Sequence, residues 1–179
     1  MKLRHYFRIL LLTMLLSVAS LSCAPASSKP IALASFKENY VSVSISLDRN
    51  PEGKPFLSAT FTPSEGHHLY SKDIPINGVN GLGRPTLIEL PKDSRIKATG
   101  GLTESVSAEV SGYGPGELLV YPAGPVTLSL PVELPDGSDW VNDEVKITYM
   151  ACTAYQCKPP VEGKIVSIRI PGAEAFDNQ

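Results

Sequence analysis

The clearest pattern along the chain is alternation. In residues 40–47 (YVSVSISL), apolar Val41, Val43, Ile45 and Leu47 alternate with Ser42, Ser44 and Ser46. A period of two predicts a strand with one buried and one wet face. Residues 56–62 (FLSATFT) predict a second strand, paired with the first across the turn-forming run Asn50-Pro51-Glu52-Gly53. Further short strands are predicted over 86–90, 117–121, 126–132, 144–151 and 164–170. Pro131 falls opposite the apolar face of the 126–132 segment, which predicts a sheet edge or bulge there. Only the tail from Gly172 and parts of 92–108 leave room for a helical turn. Seven strands separated by turn residues predict an all-β fold, an antiparallel sandwich.

Composition narrows the alternatives. Sixteen prolines among 179 residues leave few windows for a helix interior, against both a helix bundle and a doubly wound α/β fold. Hydrophobic residues at 42% are enough for the core of one domain. Sixteen basic residues against 18 acidic ones give no basic footprint, so nucleic acid is not an expected partner. The 63–85 segment is long and rich in Gly and Pro, and loops of that length usually serve a function. Within it, Gly78 to Gly83 lacks the strand and helix that flank a phosphate loop, and reads as a mobile turn. Trp140, after Asp136-Gly137-Ser138-Asp139, reads as a core or hairpin anchor.

The first 22 residues read as an export signal. Lys2, Arg4 and Arg8 precede the apolar run 9–19, which is too short to span a bilayer. The Ser22-Cys23 junction resembles a bacterial lipobox, in which the cysteine is acylated and becomes the new N-terminus; the alternative is cleavage after Ala26. Removing 22 of the 179 residues leaves 157, and removing three of the 16 bases leaves 13 against 18 acids, a formal charge of −5. Residues 23–35 read as a tether and 36–179 as the domain. The expected location is the periplasm or the outer face of a bacterial membrane, where disulfides persist.

Setting Cys23 aside leaves Cys152 and Cys157, with four residues between them, at the end of a strand and followed by Pro159-Pro160. A disulfide across such a turn is feasible. As a staple it constrains little, since closing so short a loop is worth roughly 2 kcal/mol. The same turn is accessible to an incoming thiolate. Spacing alone leaves a redox role and a structural role both open. A third reading is copper handling through Met150, the two cysteines and one histidine, because these are soft or borderline ligands. His67 and His68 are adjacent and would point to opposite faces, so at most one could join. No nucleophile elbow and no cofactor motif is present, and neither a cofactor nor a resident metal is expected.

Residues 66–74 (GHHLYSKDI), 83–87 (GRPTL), 121–132 and 149–161 (YMACTAYQCKPPV) together resemble the N-terminal periplasmic domain family of the thiol:disulfide interchange protein DsbD. The resemblance runs over roughly residues 36–170. It implies an immunoglobulin-like sandwich whose cysteine pair, here Cys152 and Cys157, exchanges electrons with thioredoxin-like proteins, periplasmic isomerases and the thioredoxins of cytochrome c biogenesis. It places the aromatic lining of the site at His68 and Tyr70, and a shielding cap loop near Glu109–Tyr113. The cap aromatic position falls on Gly112, leaving Tyr113 as the substitute. It also implies that Cys157 forms the mixed disulfide with the partner and Cys152 resolves it. The membrane-spanning and thioredoxin domains that accompany this domain in the family do not occur in the chain.

The Cys23 reading has a direct check. Acyl chains on Cys23 hold a protein firmly at a membrane, so a Cys23→Ala precursor is expected to remain unprocessed or to leave the membrane fraction. Fractionation identical to the wild type would contradict it.

Overall fold

The computed structural model describes residues 29–112 and 114–178. The export segment, Cys23 and Tyr113 lie outside the described residues. Among the described residues, eleven strands and one short helix follow in chain order. They are β1 (Ile31–Glu38), β2 (Val41–Arg49), β3 (Pro55–Pro63), β4 (Leu87–Glu89), β5 (Lys97–Ala98), β6 (Thr103–Glu104), β7 (Glu109–Val110), β8 (Leu119–Val120), β9 (Val126–Glu133), β10 (Trp140–Tyr149), β11 (Val161–Pro171) and α1 (Ala173–Asp177). Every strand pair is antiparallel.

One sheet runs β1-β2-β3-β9 and continues into β5, with β6 also on β9; a second runs β11-β10-β4. The serine alternation of β2 does what its period requires. Val41, Val43, Ile45 and Leu47 are all at most 1% exposed, and they meet Ile88, Val145, Ile147 and Ile170 of the second sheet in one core. Phe61 of β3 and Tyr149 of β10 cross the sandwich edge to face, ring centres 5.8 Å apart. The fold is thus an all-β, antiparallel, immunoglobulin-like sandwich.

Some expectations shift. The tether boundary at residue 35 is corrected: β1 begins at Ile31 and pairs with β2 from Ile31↔Leu47 onward. A bulge between Ala32 and Ala34 breaks the phase, so that Ile31, Leu33, Ala34 and Phe36 all pack on the core without a simple alternation. In 92–108 the chain forms β5 and β6 in place of a helical turn. Pro131 falls on β9 opposite Phe56 of β3 and where β5 gives way to β6, its ring against Gly100 and its carbonyl accepting from Thr99 N–H at 2.9 Å. The 117–121 strand shrinks to Leu119–Val120, while the last strand lengthens to begin at Val161, directly after the proline pair. Trp140 is not in the core: it opens β10 at 40% exposure, with the Arg169 guanidinium 5.9 Å from its ring centre. The tail does carry the expected helical turn, α1.

A second bulge sets up the end of the sandwich that carries the cysteines. Glu162 and Gly163 of β11 stand opposite the single Thr148 of β10. Gly163 takes the left-handed conformation there (φ 58°), and its N–H donates to the Thr148 hydroxyl at 3.0 Å. The bulge twists the end of β10, where Met150, Ala151 and Cys152 follow.

Ile147 tests the sandwich core. It is fully buried between the two sheets, so Ile147→Ala is expected to cost about 2–5 kcal/mol. Ser44→Ala, on the wet face of β2, is expected to stay within about 0.5 kcal/mol of the wild type. Denaturant unfolding of both variants gives the comparison.

Candidate functional site

Beyond β10 the chain makes one tight hairpin. Lys158 N–H donates to the Ala151 carbonyl at 2.9 Å, and Thr153 N–H donates to the Gln156 carbonyl at 2.8 Å. Cys152 and Cys157 lie between these two bonds as a pair that exchanges no backbone hydrogen bond. Such pairs bring their Cα atoms closest in an antiparallel ladder, and here the separation is 3.9 Å, closed by a disulfide. The Thr153 hydroxyl oxygen accepts from the N–H groups of Tyr155 (3.2 Å) and Gln156 (3.0 Å), which fixes the turn. Tyr155 stands at its tip, 99% exposed.

The two sulfur-bearing residues are not equivalent. Cys152 is 1% exposed, whereas Cys157 is partly exposed. Burial of Cys152 comes from the long 63–85 loop. His68 and Cys152 form an antiparallel bridge, His68 N–H to Cys152 carbonyl at 2.8 Å and the reverse at 3.1 Å. Loop residues Tyr70, Ile74 and Val79 join Leu118 and Cys152 in a small apolar cluster distinct from the sandwich core, with Met150, Val120 and Cys157 against it.

Tyr70 is the aromatic that reaches the exposed sulfur. Its hydroxyl lies 3.8 Å from Cys157 Sγ; a disulfide sulfur carries no proton, so the phenol donates. Burial raises the Tyr70 pKa above its usual 10.0, which keeps that proton in place at neutral pH. Its backbone is held from two sides: Thr86 donates to the Tyr70 carbonyl through its hydroxyl at 2.7 Å, and Tyr70 bridges Val120 of β8. Its ring lies on Gly83, where a Cβ would come within 2.9 Å of the ring and where φ is +78°, so both space and backbone call for glycine. The next residue, Arg84, ties the loop down through an ion pair with Glu162 on β11.

His68 stands edge-on to Tyr70, ring centres 5.4 Å apart. His67 turns the other way and stacks on Tyr40 at 4.9 Å. The structure therefore brings His68 and Tyr70 to the cysteines and takes His67 away from them. The 109–120 region carrying the expected cap forms the β7–β8 hairpin, which reaches the small cluster through Leu118 and Val120; Tyr113 itself is outside the described residues. Gly78 to Gly83 contains a tight turn, with Val79 and Leu82 exchanging backbone hydrogen bonds of 2.9 and 3.0 Å. Among the described residues, no group of three or more His, Cys, Asp or Glu side chains is placed to hold a metal ion, and no helix is long and apolar enough to cross a membrane.

The chain is similar in fold to two solved domains. One is the DsbD N-terminal domain of Neisseria meningitidis in its reduced form, at 15% identity and a TM-score of 0.41, covering 65% of this chain and 76% of that one. The other is the N-terminal periplasmic domain of ScsB from Proteus mirabilis, at 14% identity and a TM-score of 0.48, covering 84% of this chain and 57% of that one. No protein-family model and no curated protein matches the sequence.

Sequence reasoning missed the supporting residues. Gly83 appeared inside a motif but without a role, and its reason is the Tyr70 ring lying over it. Ile74, Val79 and Leu118 are isolated apolar residues in Gly- and Pro-rich stretches, and that isolation was the available signal for a second cluster.

His68 gives the site a pH dependence. Burial first, and then the nearby His67, push its imidazole below the usual 6.5. The unfolded chain therefore takes up a proton at higher pH than the folded one. This contribution to stability is fully present above about pH 6.5 and is lost as pH falls through the lowered folded value. The drop in unfolding midpoint between about pH 7.5 and pH 5 is expected to be smaller in His68→Gln than in the wild type. Equal drops in both would contradict the assignment.

Proposed function

We propose that the chain is an extracytoplasmic thiol–disulfide exchange protein acting through Cys152 and Cys157. The observation that carries this reading is the unequal seating of the pair. Cys152 is buried and bonded through its backbone to His68, while Cys157 is partly exposed under a tyrosine hydroxyl. A staple needs no such asymmetry. Exchange does, because it requires one sulfur within reach of an incoming thiolate and a second that leaves and later returns. The motif resemblance of residues 66–74 and 149–161 supports the same reading.

The chemistry runs on these atoms. A partner thiolate attacks Cys157 Sγ, and as the new S–S bond forms the Cys152–Cys157 bond breaks. The electron pair leaves on Cys152 Sγ, which then takes up a proton. A second partner thiolate attacks the partner sulfur of the mixed disulfide and releases Cys157 as a thiolate. The chain has then gained two electrons and the partner has lost two; the reverse transfer uses the same steps. Tyr70 supplies a hydrogen bond to the Cys157 sulfur, and such a bond favours the charged, leaving form. His68 and the β7–β8 hairpin, with Tyr113 in its connection, complete the shield that limits attack by small thiols.

In the same reading the partner is a thioredoxin-like protein of the cell envelope, and passage of electrons toward cytochrome c biogenesis is one such use. Residues 1–22 serve as the export signal, and lipid on Cys23 tethers the domain to the outer face of a membrane. In the described structure β1 starts at Ile31, the end of β1 remote from the Glu38–Val41 turn beside the cysteine hairpin. A tether entering there leaves the cysteine end of the sandwich free to meet partners.

Trapping tests the proposal. A Cys152→Ala variant is expected to accumulate a covalent complex with an oxidised thioredoxin-like partner, because Cys157 displaces one partner thiolate and Cys152 is no longer there to resolve the mixed disulfide. Cys157→Ala is expected to form none. The opposite pattern would reverse the roles, and no complex from either variant would favour a structural disulfide.

A further inference from the structure

Two turns in this molecule share a backbone shape and differ in sequence. Val79 and Leu82 are joined through Asn80 (φ 52°) and Gly81 (φ 83°). Glu38 and Val41, the last pair of the β1–β2 ladder, are joined through Asn39 (φ 45°) and Tyr40 (φ 66°). Both connections have two consecutive left-handed residues, the shape for which Asn-Gly is the favoured pair. The first turn uses that pair. The second puts a tyrosine where a Cβ is unfavourable, and Tyr40 is 51% exposed, so it is not there to fill the core.

What Tyr40 and Asn39 touch supplies the reason. The Tyr40 ring stacks on His67 at 4.9 Å and 15° between planes. Lys158 Nζ sits 4.4 Å from the centre of the same ring. Asn39 Nδ2 donates to the Pro159 carbonyl at 2.8 Å. The turn itself is held by Ser64 N–H donating to the Tyr40 carbonyl at 2.8 Å and by Tyr149 donating to the Glu38 carbonyl at 3.0 Å. The side chains of a strained turn thus grip Lys158 and Pro159, the two residues that follow Cys157. Strained residues of this kind persist where surrounding contacts over-determine them, and they cluster at functional sites.

We propose that Asn39 and Tyr40 are positioning residues for Cys157. They clamp the chain leaving the cysteine hairpin, while the His68 bridge holds Cys152 from the other side. With both ends fixed, the two sulfurs stay within bonding distance after reduction, so each thiol meets the other at high effective concentration. Freeing the Lys158 side chain and Pro159 leaves Cys157 held by the hairpin's own two backbone bonds and by Tyr70, without the outer anchor, and the disulfide becomes easier to reduce. The biological meaning of the clamp rests on the exchange reading of the pair, but the clamp itself is a property of the disulfide.

Equilibration of the full domain with reduced and oxidised glutathione tests it. Tyr40→Gly installs the Asn-Gly pair already used at residues 80–81, so its unfolding midpoint in the oxidised state is expected to equal or exceed that of the wild type. Its equilibrium is nevertheless expected to move toward the dithiol by about fivefold, roughly 20 mV for a two-electron couple. Tyr40→Phe keeps the stacked ring and is expected to remain within about twofold of the wild type. Asn39→Gly keeps the turn and removes only the donor to Pro159, and it is expected to shift the constant in the same direction. An unchanged constant in Tyr40→Gly or in Asn39→Gly overturns the clamp, whatever happens to stability. Because glutathione is the only partner here, this failure is separate from failure of the exchange reading, which appears as the absence of a trapped protein complex.

Discussion

Two backbone hydrogen bonds between His68 and Cys152 join the long 63–85 loop to the cysteine hairpin. They lock a long irregular loop onto a hairpin that would otherwise project from the end of the sandwich. Through them the loop delivers Tyr70 to the Cys157 sulfur and closes Ile74, Val79 and Leu118 beneath the disulfide. The site therefore has its own small apolar base, separate from the core that holds the two sheets together. The disulfide does not staple the sandwich; it sits on a seat of its own at the end of β10.

This arrangement seats the two cysteines differently. The one that follows the regular strand is fixed and dry. The one that precedes Lys158-Pro159-Pro160 is partly open, because prolines carry no N–H to extend a ladder and the chain rejoins the sheet only at Val161. Tyr70 keeps its proton through burial and presents it to the open sulfur. Gly83 lets that ring lie flat on the backbone, and the bulge at Thr148 twists the strand end that carries Cys152. Each device is local, and together they make two chemically identical sulfurs unequal.

The fold was legible in the sequence wherever one face of a strand is wet. The Ser42, Ser44, Ser46 alternation announced β2, and its pairing with β3 followed from the turn between them. The alternation failed where bulges or breaks shift the phase, as at Ala32–Ala34 in β1 and at the short β5 and β6 on the edge of β9. Of the two roles read for Trp140, core or hairpin anchor, the core does not hold: at the start of β10 it lies beside Arg169. At the site, the cysteine pair was visible from its spacing, with its role left open, and His68 and Tyr70 entered only through the family resemblance; the structure sets both beside the disulfide. The loop residues that seat them were not, because single apolar residues among glycines and prolines have no period. Nor was the turn at Asn39-Tyr40, whose backbone conformation is visible only in three dimensions.

The reduction potential of the Cys152–Cys157 pair tests the central claim most directly. Disulfides that only brace a secreted domain lie below about −300 mV, and labile exchange pairs lie above it. Equilibration with a dithiol of known potential is expected to place this pair above that limit. A potential below it, with the oxidised form persisting against physiological thiols, would make the disulfide structural and contradict the account.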